Sequence, residues 1–109
     1  MLKSFKVYGS VQGVMFRQTF IRGLIKRGFR GGASNIKDRE KTVNITIEAR
    51  NKNQIREVID TLLELKVINS WKATVERIIE IENINLDDHE VTTNNVNEHK
   101  WSSGVDFYF

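Results

Sequence analysis

The sequence predicts an α+β protein in which an antiparallel sheet is covered on one face by two helices. Three observations lead there. Short segments alternate apolar and polar residues, two longer stretches between them carry helical spacing, and the breaks fall at glycines or polar clusters. With 109 residues, a single domain spanning 1–109 and one hydrophobic core are expected.

Each element has its own signal. From Lys3 to Gly9, Phe5 and Val7 share one face and Ser4 and Lys6 the other, the period-two pattern of a half-buried strand. From Phe16 the spacing changes: Phe16, Phe20, Ile21, Leu24 and Ile25 form one stripe, Gln18, Arg22 and Lys26 the opposite surface, and Gly28 ends the helix. Arg30 to Ile36 is glycine-rich and reads as a strand only by context. Val43, Ile45, Ile47 and Ala49 alternate cleanly with Asn44, Thr46 and Glu48, so Lys37 to Lys41 joins two antiparallel strands.

Asn51 is a candidate cap with Gln54 three residues on, and Ile55, Val58, Ile59, Leu62 and Leu63 continue as a second helix fading near Lys66. Trp71 to Ile81 reads as a strand, and Val105, Phe107 and Phe109 read as a short extra strand at the C-terminus. Between them, about 83–104 is a long polar connection that has room for a hairpin around Glu90 to Val96. The order β-α-β-β-α-β suggests a ferredoxin-like sandwich, a scaffold shared by unrelated functions.

Composition narrows the field. There is no cysteine, which excludes disulfides, thiolate metal sites and a thiol nucleophile, and there is no proline. No apolar run is long enough to span a bilayer, and Met1 to Lys6 is too short and charged for a signal peptide, so a cytoplasmic location is expected. Residues 1–50 carry 11 Lys/Arg against 3 Asp/Glu, and residues 51–109 carry 6 against 11. The first half is suited to an anion.

The stretch Gly9-Ser10-Val11-Gln12-Gly13-Val14-Met15-Phe16-Arg17 lies between the first strand and the first helix. Successive backbone N–H groups in such a turn form a concave nest, and the unpaired N–H groups of a helix start add positive potential for an oxyanion. Glycine at 9 and 13 permits the torsions required, and Arg17 can fork onto two phosphate oxygens.

These residues resemble the acylphosphatase signature, matching it at Gly9, Val11, Gln12, Gly13, Val14, Phe16 and Arg17. A second block of that family, Gly-x-x-Gly-Trp-Val-x-Asn, is similar to Gly28-Phe29-Arg30-Gly31-Gly32-Ala33-Ser34-Asn35. The resemblance runs on through Val75 and the terminal Phe107-Tyr108-Phe109, with a longer connection before the last strand. Four departures stand out: Ser10 for a basic residue, Gly32-Ala33 for Trp-Val, Asp38-Arg39 for a hairpin Asp-Gly, and no Gly-Pro after the second helix. Loss of a buried Trp typically costs about 3–5 kcal/mol in an unadapted core, and Trp71 and Trp101 are the candidate compensations.

The resemblance implies an enzyme that hydrolyses acyl phosphates to a carboxylate and inorganic phosphate. Arg17 and Asn35 would be catalytic, with the loop of Gln12, Gly13, Val14, Met15, Phe16 and Arg17 holding the phosphate and Asn35 orienting water. Gln12 shapes the loop. No cofactor and no metal are implied, and His89 and His99 are expected at the surface because no ligand spacing surrounds them. The expected partner is a small-molecule acyl phosphate, with phosphate or sulfate as stand-ins in the loop, and the expected state is a monomer without membrane or nucleic-acid partners.

Taken singly, Arg17 would be read as a surface ion pair and Asn35 as a turn or strand-end hydrogen bond; their shared spacing favours the site. Phe16, Phe20 and Leu24 are expected in the core, and Trp71 and Trp101 in packing. Two alternatives remain: an anion-binding or regulatory module with weak catalysis, and an RNA-binding domain. The second is disfavoured because Val43 to Ala49 lacks the aromatic residues of an RNA-binding sheet.

Overall fold

The computed structural model describes residues 1–101 and 104–109. In chain order its elements are β1 (Leu2–Ser10), α1 (Phe16–Lys26), β2 (Arg30–Asn35), β3 (Val43–Glu48), α2 (Lys52–Glu64), β4 (Thr74–Ile81) and β5 (Val91–Thr92). Short 3-10 turns at Leu86–Asp88 and Val96–Glu98 flank β5. The sheet order is β4-β1-β3-β2-β5, with every pair antiparallel. This is the ferredoxin-like sandwich the patterns predict.

Register explains which face is the core. Phe5 opposes Ile45 and Val7 opposes Val43, while Ala33 opposes Ile45 across the other edge of β3. These side chains are buried with Phe20, Leu24, Ile55 and Leu62 from the helices. Because side chains alternate along a strand, the opposite face carries Ser4, Thr46, Gly32 and Ser34. Asn51 caps α2 as expected, its side-chain oxygen accepting from the Gln54 N–H at 3.0 Å. Where the β2–β3 turn lacks a glycine, Asp38 takes over: it accepts from the Thr42 N–H and hydroxyl at 3.2 and 2.9 Å and pairs with Lys6 at 3.1 Å.

The connection after β4 departs most from expectation. The fifth strand is Val91–Thr92, within the supposed loop, and it pairs with β2 instead of forming a hairpin of its own. Residues 83–90 cross the polar face of the sheet first, anchored where the Ile84 N–H donates to Ser4 Oγ at 2.8 Å. The last residues form no sheet strand; they make a single bridge, Asn69 to Phe107. Phe109 goes to α1 instead, stacking on Phe20 with centroids 5.9 Å apart. That coverage buries Gly23, whereas Ile25, expected in the stripe, is 46% exposed.

Candidate active site

The loop from β1 to α1 is tied down on two sides. Gln12 Nε2 donates to the carbonyls of Ile36 and Thr42, both at 2.9 Å, joining the loop to the β2–β3 turn. Asn69, wholly buried after α2, donates to the Val14 carbonyl at 2.8 Å and to Thr19 Oγ1 at 3.0 Å. Between these anchors Gly13 has φ 75° and Met15 has φ 57°. A left-handed methionine is unfavourable by itself and persists only where its surroundings hold it.

Met15 is also the N-cap of α1, and no side chain caps that helix. The first closed turn comes from the Thr19 N–H to the Met15 carbonyl at 3.1 Å. The amides before it therefore have no helical partner, the arrangement that suits an anion. Arg17 leaves the first turn of α1 beside them. A cavity of about 260 Å³ opens here, with Gly13, Met15, Arg17, Asn35, Trp71 and His99 in its wall. A larger cleft of about 620 Å³ lies at the opposite end of the sheet among Arg27, Arg30 and Arg50, and shares none of these residues.

Asn35 ends β2 and meets Arg17 through Glu90. The Asn35 N–H donates to Glu90 Oε1 at 2.7 Å, and the Arg17 guanidinium donates to the same oxygen at 3.1 Å. Asn35 Oδ1 is buried with no hydrogen-bond partner. An unpaired buried acceptor is costly in a fold, and among the described residues Asn44 Oδ1 and Arg22 Nε are unpaired as well. The ion pair that a lone surface arginine would make is thus present at Arg17, and it is shared with Asn35.

His89 corrects the expectation of a surface histidine: it is 6% exposed. A β-carbon on Gly32 would stand 2.6 Å from its ring. The imidazole therefore lies over the position where the family block has Trp, and Trp71 and Trp101 do not take that role. Trp71 is instead 42% exposed at the cavity, and Trp101 packs edge-on against Phe107. His89 Nε2 lies 2.6 Å from Thr46 Oγ1, itself 2.6 Å from Ser4 Oγ, and Nδ1 lies 2.9 Å from Ser34 Oγ. Burial lowers the imidazole pKa from its ordinary value, against the opposing pull of Asp88 and Glu90.

All these hydroxyls are satisfied if Ser34 donates to Nδ1, Nε2–H donates to Thr46, and Thr46 donates to the Ile84 carbonyl at 3.2 Å. A neutral ring fits this chain of bonds. Among the described residues, no three of His, Cys, Asp and Glu stand together as potential metal ligands. No helix there is long and apolar enough to cross a membrane.

Glu90 beside the site and His89 in the polar connection were not legible, because each lies at least 43 positions from its main partners. One signal was available: Ile84 and Leu86 alternate with polar neighbours, which marks a segment laid on a surface.

Fold and loop together define a two-layer sandwich whose first strand and first helix are joined by a loop that leaves uncapped amides at the helix start. A family model described as Acylphosphatase matches residues 3–95, and the chain belongs to the acylphosphatase family. Among solved structures, the crystal structure of acylphosphatase from Bacillus subtilis matches with a TM-score of 0.56 and 26% identity, covering 82% of this chain and 92% of that one. A search of curated proteins finds no match. The family match stops at residue 95, so the terminal Phe107-Tyr108-Phe109 lies beyond it, contrary to expectation.

Proposed function

We propose that this protein hydrolyses acyl phosphates, carboxyl–phosphate mixed anhydrides, to a carboxylate and inorganic phosphate. Family membership supports a hydrolase of this class. The observation that carries the finer reading is that Arg17 and Asn35, from different elements, share one acceptor oxygen beside a helix start with uncapped amides.

In this mechanism the amides of the 12–17 loop and the free N–H groups of Arg17 bind the phosphoryl oxygens. Water attacks phosphorus, its O–P bond forms as the P–O bond to the acyl group breaks, and the carboxylate leaves. Asn35 Oδ1 accepts one water proton as a hydrogen bond and so aims the lone pair. Asparagine is too weak a base to deprotonate the water, whose other proton passes to a phosphoryl oxygen. A good leaving group makes positioning and charge stabilisation sufficient, without a covalent intermediate. Every residue named comes from one chain, and neither a metal nor a cofactor enters the step.

The test is phosphate release from a small acyl phosphate such as acetyl phosphate. Arg17→Ala is expected to weaken phosphate inhibition and lower turnover together. Asn35→Ala is expected to lower kcat by about a hundredfold, the cost of losing a positioned reactant, with KM little changed. A chelator is expected to leave the rate unaltered. Near-normal activity in either folded variant would overturn the role given to that residue.

A further inference from the structure

We infer that Glu90 is the positioning residue of this site: its carboxylate fixes the Arg17 guanidinium against the end of β2 before substrate arrives. The inference rests on the acyl phosphate reading above and adds a residue to it. One oxygen, Oε1, accepts from both the Asn35 N–H at 2.7 Å and Arg17 at 3.1 Å. A single acceptor shared in this way sets the distance between the group that would bind phosphate and the residue that would aim water.

Glu90 is itself held. Its N–H donates to Ser34 Oγ at 2.9 Å, and its carbonyl accepts from Asn95 Nδ2 at 3.3 Å. Ser34 also meets the buried His89 ring, and the next residue, Val91, pairs with Ala33. The carboxylate is therefore presented by a backbone fastened on both sides. A long arginine side chain loses its rotamer freedom to this contact in the free protein, so less remains to be lost on binding.

A carboxylate beside the catalytic arginine has a second physical meaning, as an internal anion competing with phosphate. The geometry favours positioning. Glu90 engages Arg17 through one nitrogen, whereas a carboxylate that occupied the fork would take two. The other N–H groups of the guanidinium remain for phosphoryl oxygens. Among the described residues, the one backbone amide bonded to the carboxylate is that of Asn35, on the strand, and none is in the 12–17 loop.

The experiment compares wild type, Glu90→Ala and Glu90→Gln by three readouts. These are KM and kcat with acetyl phosphate, inhibition by inorganic phosphate, and amide exchange at Asn35 in the unliganded protein. In Glu90→Ala, KM and the phosphate inhibition constant are expected to rise on the order of tenfold, less than the hundredfold of a fully misplaced group, and Asn35 exchange to quicken. Glu90→Gln, whose amide oxygen can accept both bonds, is expected to restore most of the Asn35 protection and part of the affinity.

Tighter phosphate inhibition in Glu90→Ala would overturn positioning and make Glu90 a competitor. Unchanged kinetics with unchanged exchange would overturn it as well. The carboxylate is half exposed, so its loss removes a surface contact and not a core one. A wild-type protein that releases no phosphate would sink the hydrolase reading itself, and that result is separate from any difference between variants.

Discussion

The space above Gly32 belongs to His89. With the ring 2.6 Å from an imagined β-carbon and walled by Thr46 and Ser34, even a methyl group must displace it. Gly32→Ala is expected to destabilise the protein by about 1–3 kcal/mol, the usual cost of overpacking, as measured by denaturant unfolding. A neutral result would show that the ring moves without loss.

His89 also gives stability a pH dependence of definite sign. Its folded pKa is lowered by burial, so below the ordinary imidazole value of roughly 6.5 the unfolded chain binds a proton that the folded chain resists. Stability is full above that value and declines as pH falls from it toward the folded pKa. Comparing unfolding midpoints at successive pH values should show this decline in wild type and a shallower one in His89→Gln. Equal slopes would mean that the imidazole stays solvated.

Among the elements, β1, β3 and α2 were legible because the pattern needed to read them is local: alternation in the strands, an Asn51 cap and a regular stripe in the helix. β2 was legible only by context, since Arg30-Gly31-Gly32-Ala33-Ser34-Asn35 has little strand propensity and is a strand because β3 and β5 pair with its two edges. β5 was hidden for a similar reason. Two residues carry no period, and only the free edge of β2 makes Val91–Thr92 a strand.

Helix α1 takes part of its cover from the C-terminal segment. Phe109 is buried on Phe20 and over Gly23, where no side chain could stand beside it, and Arg27 lies 4.2 Å from its ring centroid. The backbone there is fastened by the Ser70 N–H to the Asp106 carbonyl at 2.7 Å and the Tyr108 N–H to the Ile68 carbonyl at 2.8 Å. Phe109→Ala is expected to cost about 3–5 kcal/mol, read as a fall in the unfolding midpoint. A loss below 1 kcal/mol would show that the segment does not stabilise α1.

At the scale of the molecule, the charge asymmetry of the sequence acquires a geometry. The basic first half builds the loop, and the acidic second half returns a carboxylate to it, as Lys3 and Glu80 also pair across the halves at 3.3 Å. Phosphate bound at the proposed site in the native state alone would link ligand to folding. Phosphate at a hundred times its Kd should add about 2.7 kcal/mol of stability, seen as a higher Tm. Arg17→Ala should abolish most of that shift. An equal shift in the variant would place the anion elsewhere.

By itself the sequence determined most of the sandwich and the glycine-bearing loop before the first helix. A loop of glycines and amides before a helix, and the alternation of a half-buried strand, depend on neighbours within a few positions. Tertiary structure decided what lies beside that loop and on the polar face of the sheet. His89 over Gly32 and Glu90 between Arg17 and Asn35 bring together residues 55 to 73 positions apart. Such contacts depend on where a polar connection crosses the sheet, and that path is set by the free edge and polar face of the folded strands.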